Sequence, residues 1–464
     1  MEQKGALGGG DLLFKEDFDV EENGHLTLHG VDLVDLCSRY GTPLFVFDED
    51  RLVGNFERFR QAFESNYPKT IVCYSIKTNN NLAICEIMQE KGAYAEVASE
   101  LDLYVADEAG FPGDHIIFDG PHKSEGVLRK ALEKEVLLIN VESLAEMERL
   151  DKISAEMGIE QSVGLRVNPF EPPGFCSEIN PGNLNDAIHC HPHCRFGFAR
   201  DDVYPVFEQS KDFSNLRLEG IMTHPYHGAI DVLWPLVQEI HEKLGIEVKY
   251  LNVGGGFNPG TVRSVRYKDL VLDLVRQRIG LASVLDSKEN RVPDIEDVAK
   301  AMADSIRQRM GDLPEPTIVT EPGQFIAGPA GILLLRVDHG KTAGGCKWVI
   351  VDGGTNLLPV ANAFTRRQVV VANKAGDQEE EMVNIVGPLL YSDDVLSVKV
   401  RLPRVDEGDI LAILDCGAYS LSSSTQFLHP RPAAILLNAR SEVRMVREKE
   451  TCEDVLRKDR AASS

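Results

Sequence analysis

The chain has 464 residues, 43% hydrophobic and 26% charged, enough for two domains or one large barrel with an appendage. A formal net charge of −24 argues against nucleic acid or an anionic membrane surface as the main partner. The opening "MEQKGALGGGDLLFKED" lacks a basic segment ahead of an apolar core, no apolar run approaches the roughly 20 residues of a membrane span, and nine cysteines follow no framework, so a cytoplasmic protein is expected.

Residues 1–43 contain short strand-like pieces and are expected to add an edge to a β-domain. A helix is predicted at "DRLVGNFERFRQAF". Eight short apolar runs then follow: "TIVCYSIK", "YAEVAS", "HIIFDG", "EVLLINV", "SVGLRVN", "LEGIMTH", "VKYLNVG" and "PTIVTEP". Segments with apolar residues every three to four positions separate them, such as "NNNLAICEIMQEKG". Strand and helix alternating eight times predict an α/β fold, a (β/α)8 TIM barrel over residues 44–330. The longest insertions fall after the fifth and seventh runs, on the face where barrels keep their active sites. Beyond residue 330, pieces such as "GDILAILDCGAY" read as strands broken by Gly, Asp and Pro, giving a C-terminal all-β domain over 331–464, joined by 1–43.

Four of the eight runs end in residues that carry chemistry. Lys77 closes the first, where a desolvated amine would be nucleophilic; a strand-end lysine reaching out to solvent is the plain alternative. His224 closes the sixth, as a structural residue or one that stacks on a ring. The seventh ends in Gly254, Gly255 and Gly256, a flexible turn or a set of free N–H groups that wraps a phosphate. The eighth ends in Glu321, a cap or ion-pair partner, or an anion that keeps a pyridine nitrogen protonated. Amine, imidazole, phosphate cradle and carboxylate at one rim together suit pyridoxal 5'-phosphate.

These residues lie in stretches that resemble the fold-type III pyridoxal-phosphate-dependent decarboxylases, nearer to diaminopimelate decarboxylase than to ornithine decarboxylase. "YSIKTN" is similar to the family's "YAVKAN", "LRVNP" to "LRINP" and "HCRFGF" to "SKFGI"; "LNVGGGF", "EPGQ" and "GDILAILDCGAY" match in order. The resemblance implies an alanine-racemase-like barrel plus β-domain, a homodimer with shared active sites, and an amino-acid substrate. It implies Lys77 as the lysine that holds the cofactor's aldehyde, His224 against the ring and Glu321 at its nitrogen. Gly254, Gly255, Gly256 and Tyr419 would hold the phosphate, with Gly323 beside it. Arg166 would support the ring side, and Glu96 stands where the family has Asp.

The departures bear on the substrate. The family's "GPLCESGD" contains a Cys acid and a Glu that reads the distal amine; here "GPLLYSDD" has Leu390 and Tyr391. Leucine carries no transferable proton, and a phenol does not pair an ammonium as a carboxylate does. Val360 replaces an Arg that binds the distal carboxylate, and Phe364 a Tyr. Gln324 replaces the phosphate-side Arg, and His227 a Ser. Decarboxylation of an amino acid or derivative other than meso-diaminopimelate, free or carrier-bound, in a specialised pathway is therefore expected. Tyr391, His191, His193 and His227 are the alternative proton donors. Racemisation, decarboxylation coupled to transamination or oxidation, and a non-catalytic decarboxylase-like binding protein stay open. The loop "AIHCHPHCRFGF" fits no familiar zinc spacing, so no metal is expected.

Overall fold

The computed structural model describes residues 17–169, 195–261, 263–264, 292–359, 365–379 and 381–462. The chain divides into two compact units, one of Val53–Asn258 and Val292–Ile326, the other comprising the described parts of Met1–Leu52, Pro259–Arg291 and Ala327–Ser464.

In the first unit a parallel sheet closes on itself. Its strands are Thr70–Ser75, Tyr94–Val97, Ile116–Phe118, Leu138–Val141, Gln161–Arg166, Leu216–Met222, Tyr250–Asn252 and Thr317–Thr320, one from each apolar run. Both faces of such a sheet are covered, which is why the runs are continuously apolar rather than alternating. Cys73, Ile117, Leu138 and Val319 form a buried cluster. Closure is made by the eighth strand on the first, with Thr320 opposite Val72. Helices return the chain between strands, and three begin on a serine side chain. Ser99, Ser124 and Ser143 accept from the N–H of Asp102, Val127 and Glu146, satisfying donors that a helix start leaves unpaired.

A fully buried ammonium fixes the strand ends on one side of this barrel. Lys123 Nζ donates to Gly120 O at 2.7 Å, Asn140 O at 2.8 Å and Glu146 Oε1 at 2.8 Å, so all three of its protons are used. Glu146 Oε2 in turn accepts from the N–H of Glu142 at 2.9 Å. The loop after the third strand and the end of the fourth are thus tied to one charge pair.

The second unit holds a nine-stranded sheet. Leu44–Asp48, which the sequence reading puts at the start of the barrel unit, lies inside this sheet instead. It pairs antiparallel with Gly331–Ala343 and parallel with Ala433–Leu437. All five residues are buried, and a short apolar run carries no periodicity that says which sheet will take it. The expected N-terminal edge also differs: Phe18–Val20, Leu26–Leu28 and Val31–Asp32 form their own three-stranded sheet. Phe18, Leu26 and Leu28 join the apolar cluster of Leu44, Val46, Ile332 and Leu334. No described helix is long and apolar enough to cross a membrane.

Replacing Lys123 with Met keeps the volume but strands the Glu146 carboxylate. Breaking a buried pair in this way costs about 3–5 kcal/mol. Lys123→Met should therefore lower the unfolding free energy by about 3–5 kcal/mol, read as a lower urea midpoint, whereas the double variant Lys123→Met/Glu146→Leu should recover part of it. An unchanged midpoint in the single variant would show that the pair carries no net stability.

Candidate active site

Each strand of the barrel carries a polar residue at its C-terminal end or within two residues of it: Ser75, Glu96, Asp119, Glu142, Arg166, His224, Asn252 and Glu321. Lys77 is not the last residue of its strand; it sits in the 3-10 turn Ile76–Thr78 that follows. Its side chain is 43% exposed rather than desolvated, and it makes an ion pair with Glu96, which is 1% exposed. Lys77 Nζ also donates to Ser75 Oγ at 3.0 Å. The turn is held by a close approach: a Cβ at Gly323 would collide with Thr78.

Beside Glu96 lie two further buried carboxylates, Asp119 after the third strand and Glu321 after the eighth; the nearest oxygens of the three fall within 4.8 Å of one another. An asparagine amide fixes each of these two. Asn140 Nδ2 donates to Asp119 Oδ1 at 2.6 Å, and Asn252 Nδ2 to Glu321 Oε1 at 2.6 Å. Burial pushes the Glu321 carboxyl well above the usual carboxylate range, the charges of Asp119 and Glu96 push it further, and Lys77 opposes them. Burial also raises Glu96, against the pull of Lys77.

The other side of the mouth is cationic and aromatic. Arg166 Nη1 donates to Glu142 Oε1 at 2.8 Å, and its guanidinium lies 4.5 Å from the centre of the Phe196 ring. His224 keeps its ring open to the mouth, yet the protein packed behind it and the charges of Arg166 and Lys77 push its imidazole down to about 4, desolvation being the largest cause. Its Nδ1 accepts the N–H of Gly255 at 3.2 Å, so that atom is unprotonated. Gly254 N–H donates to Asn252 Oδ1 at 2.8 Å. Two of the three glycine N–H groups expected to be free for a phosphate are thus already bonded inside the protein. Glycine is required here for backbone reasons, since φ is +68° at Gly254 and +91° at Gly256 and a Cβ on Gly254 would lie 2.7 Å from Thr223 O.

A family model described as "Pyridoxal-dependent decarboxylase, pyridoxal binding domain" matches residues 52–328. The chain belongs to this family. It is 31% identical over 454 residues to a diaminopimelate decarboxylase of Methanothermobacter thermautotrophicus, covering 95% of this chain and 97% of that protein. It is 28% identical over 438 residues to that of Aquifex aeolicus, covering 92% and 94%. The solved structure of diaminopimelate decarboxylase from M. jannaschii superposes with a TM-score of 0.81 at 25% identity, covering 96% of this chain and 98% of that one.

The protein is thus a pyridoxal-phosphate-dependent amino-acid decarboxylase of fold type III, and the barrel residues fit the cofactor. An amine, an open imidazole face and an anchored carboxylate share one mouth, and the buried Oε1 of Glu96 has no hydrogen-bond partner among the described residues. Of the residues expected from sequence, Lys77, Glu96, Arg166, His224, Gly254, Gly255, Gly256, Glu321 and Gly323 lie at this end of the barrel. Gln324 is exposed at the start of the short helix Gln324–Ala327. His227 is exposed, its ring 3.9 Å from that of Tyr226, with partial burial lowering its imidazole. Tyr391, Leu390 and Tyr419 belong to the β unit. There the Tyr391 hydroxyl bonds to Thr355, and Leu390 is 87% exposed. Tyr419 takes a positive φ of 52°. His191, His193, Val360, Phe364 and the Cys/His loop lie outside the described residues. Sequence reasoning missed Ser75, Asp119, Asn140, Glu142 and Asn252. Asp119 had the same signal as Glu321, an acid directly after an apolar run.

The lowered His224 has a pH consequence with a definite sign. Its native value of about 4 lies below the ordinary 6.5, so the unfolded chain takes up the proton first as pH falls. The stability linked to neutral His224 is whole above pH 6.5 and is lost as pH drops toward 4. In histidine NMR spectra of the apoprotein the His224 ring signal should stay at its neutral position down to about pH 5; a midpoint near 6.5 would contradict the burial described here.

Proposed function

We propose that this enzyme removes CO2 from an amino acid, or an amino-acid derivative, other than meso-diaminopimelate, on a cofactor held by Lys77. The juxtaposition of Lys77, Glu96 and Glu321 at one barrel mouth carries the first part of this reading. When bound, the cofactor supplies an electron sink for the pair left behind by departing CO2. Lys77 would hold the cofactor's aldehyde, and Ser75 and Glu96, which Lys77 contacts, fix the position of its amine. Neutral His224 offers a flat face without competing charge. Glu321, anchored by Asn252, would hold a proton at the ring nitrogen. Arg166, neutralised by Glu142, lines the opposite side.

The substrate part rests on the β unit. Leu390 stands where the resemblance places an acid, and Tyr391 where it places a carboxylate that pairs the distal amine. Both relatives named above are diaminopimelate decarboxylases, so that substrate is the direct competitor in the test. The Tyr391 phenol, bonded to Thr355, is the candidate proton donor in place of the missing thiol. Leu390, Tyr391, Phe427 and Leu428 are all exposed apolar or aromatic groups on one unit, which supports a homodimer in which a partner subunit covers them.

CO2 release should be assayed with the purified enzyme across L- and D-amino acids, N-acylated amino acids and meso-diaminopimelate. Turnover of meso-diaminopimelate at the best rate in the panel would overturn the substrate proposal. Lys77→Ala should lose CO2 release altogether, and borohydride reduction of the wild type should leave the pyridoxyl group on Lys77 in peptide mass spectra; modification of another lysine would overturn the assignment.

Mixing Lys77→Ala protein with Tyr391→Ala protein tests the shared site. If Tyr391 serves the partner's barrel, hybrid dimers contain one intact site and should regain up to about a quarter of wild-type activity from random 1:1 mixing. No recovery, from variants that each exchange subunits, would mean that Tyr391 acts within its own chain or not at all.

A further inference from the structure

Asp119 has no part in the reading above, yet it is as buried as Glu321: the two are 4% and 5% exposed. It is held without freedom to move away. Its N–H donates to Val97 O at 2.8 Å, and the next residue, Gly120, has φ +99° with no room for a Cβ beside Ala98 O, 2.6 Å away. Its Oδ1 is taken by Asn140. The nearest carboxylate oxygens of Asp119 and Glu321 lie within 4.8 Å of each other, and of two carboxylates sharing one buried site, one is held protonated by the charge of the other. The other titratable and charged groups that face them are Glu96, Lys77, His224 and Cys73. Lys77 is committed to Glu96; burial holds Cys73 neutral and His224 is neutral. One ammonium therefore faces three carboxylates. The buried Oε1 of Glu96, a member of the same cluster, has no hydrogen-bond partner among the described residues.

We propose that Asp119 and Glu321 hold one proton between them in the apoprotein, and that Asp119 is a positioning residue whose charge drives this proton onto the cofactor's ring nitrogen. This rests on the assignment of Glu321 to that nitrogen. The step is a proton transfer alone. An O–H bond of the pair breaks and an N–H bond forms; the pair goes from one negative charge to two, and the ring nitrogen from neutral to positive. A single carboxylate already favours a protonated ring nitrogen. A second fixed anion in the same cluster of oxygens strengthens that preference, and a like or opposite charge at this range is worth about 10- to 1000-fold in proton affinity. The ring then stays cationic, and withdraws electrons fully, at pH values where one carboxylate alone would release it. Asp119 acts through Glu321 and needs no contact with substrate.

Two measurements test this without relying on turnover. The first is infrared difference spectroscopy of wild-type apoprotein on addition of pyridoxal phosphate at neutral pH. The C=O stretch of a protonated carboxylic acid should be lost as the cofactor binds, and Glu321→Gln should abolish that change. The second is the 15N chemical shift of ring-labelled pyridoxal phosphate in the holoenzyme, followed against pH. Asp119→Asn should lower the proton affinity of the ring nitrogen about 10- to 1000-fold, and Asp119→Glu should restore it at least in part. If wild type loses no protonated carboxyl on binding, the shared proton does not exist; this result needs no variant to fold. If Asp119→Asn binds cofactor and leaves the nitrogen titration within threefold of wild type, Asp119 serves only as an acceptor for Asn140. Failure of the underlying reading is distinct: the wild type would bind no cofactor, or its ring nitrogen would not respond to Glu321→Gln.

Discussion

Closing the sheet through Thr320 and Val72 forces a lysine and three carboxylates into one small volume. Neighbouring strands stand about 4.7–4.9 Å apart, so polar residues at their ends have no choice of separation. Ser75 lies opposite Glu96 and Val97 opposite Phe118, which sets Lys77, Glu96 and Asp119 side by side. The eighth strand then returns Glu321 to the same corner. An open sheet would leave Glu321 at one edge and Asn140 in the middle, with nothing to hold the acids together. Burying like charges this closely is unfavourable. It is offset here by the Lys77 ion pair, two amide donors and the retention of a proton, each depending on the closed register.

Support for these groups comes from one layer further out, and it too is ionic. Lys123 ties Gly120, next to Asp119, to the backbone of Asn140 and to Glu146. Glu146 orients the N–H of Glu142, whose carboxylate holds Arg166 and the N–H of Gly197. A change at Lys123 therefore reaches both the acid cluster and the cationic wall without touching either. Hydrophobic packing alone would fill the same space but would not fix the direction of Asp119, Asn140 and Arg166, which is what a proton-holding site needs.

The barrel was legible because its strands are buried on both faces and its helices repeat at three to four residues; eight apolar runs met eight strands. Lys77 and Glu321 were legible as polar residues that end such runs. "HIIFDG" carries the same signature, but an Asp-Gly pair also reads as a turn, and only the fold shows that its acid faces Glu321. Asn140 and Asn252 sit within their runs, and nothing local marks an amide whose partner is 21 or 69 residues away. The glycine run was read for its freedom; one of its N–H groups is spent locally on Asn252, two residues back, and another on His224, a contact between different strands that the sequence does not show. "LFVFD" failed for the opposite reason, since five buried residues fit either sheet equally well.

The β unit bears on whether Leu390 is a local accident or part of a built surface. The loop that carries it is fixed by one carboxylate. Asp394 Oδ1 accepts from Thr355 N at 2.7 Å and Thr355 Oγ1 at 3.0 Å, while Oδ2 accepts from Leu389 N at 2.7 Å. Gly354 and Gly387 leave the room that Asp394 occupies. A backbone held at Leu389 and again at Gly387 N–H, which donates to Asp394 O at 3.1 Å, gives residue 390 a set direction whatever its side chain. Exchange of a thiol for an isobutyl group there changes the chemistry presented and not the shape of the loop. Full exposure of a large apolar side chain on so constrained a segment is unfavourable in water. The loop gains from that arrangement only when something covers it, and the residue that then meets the covering surface is one that cannot deliver a proton.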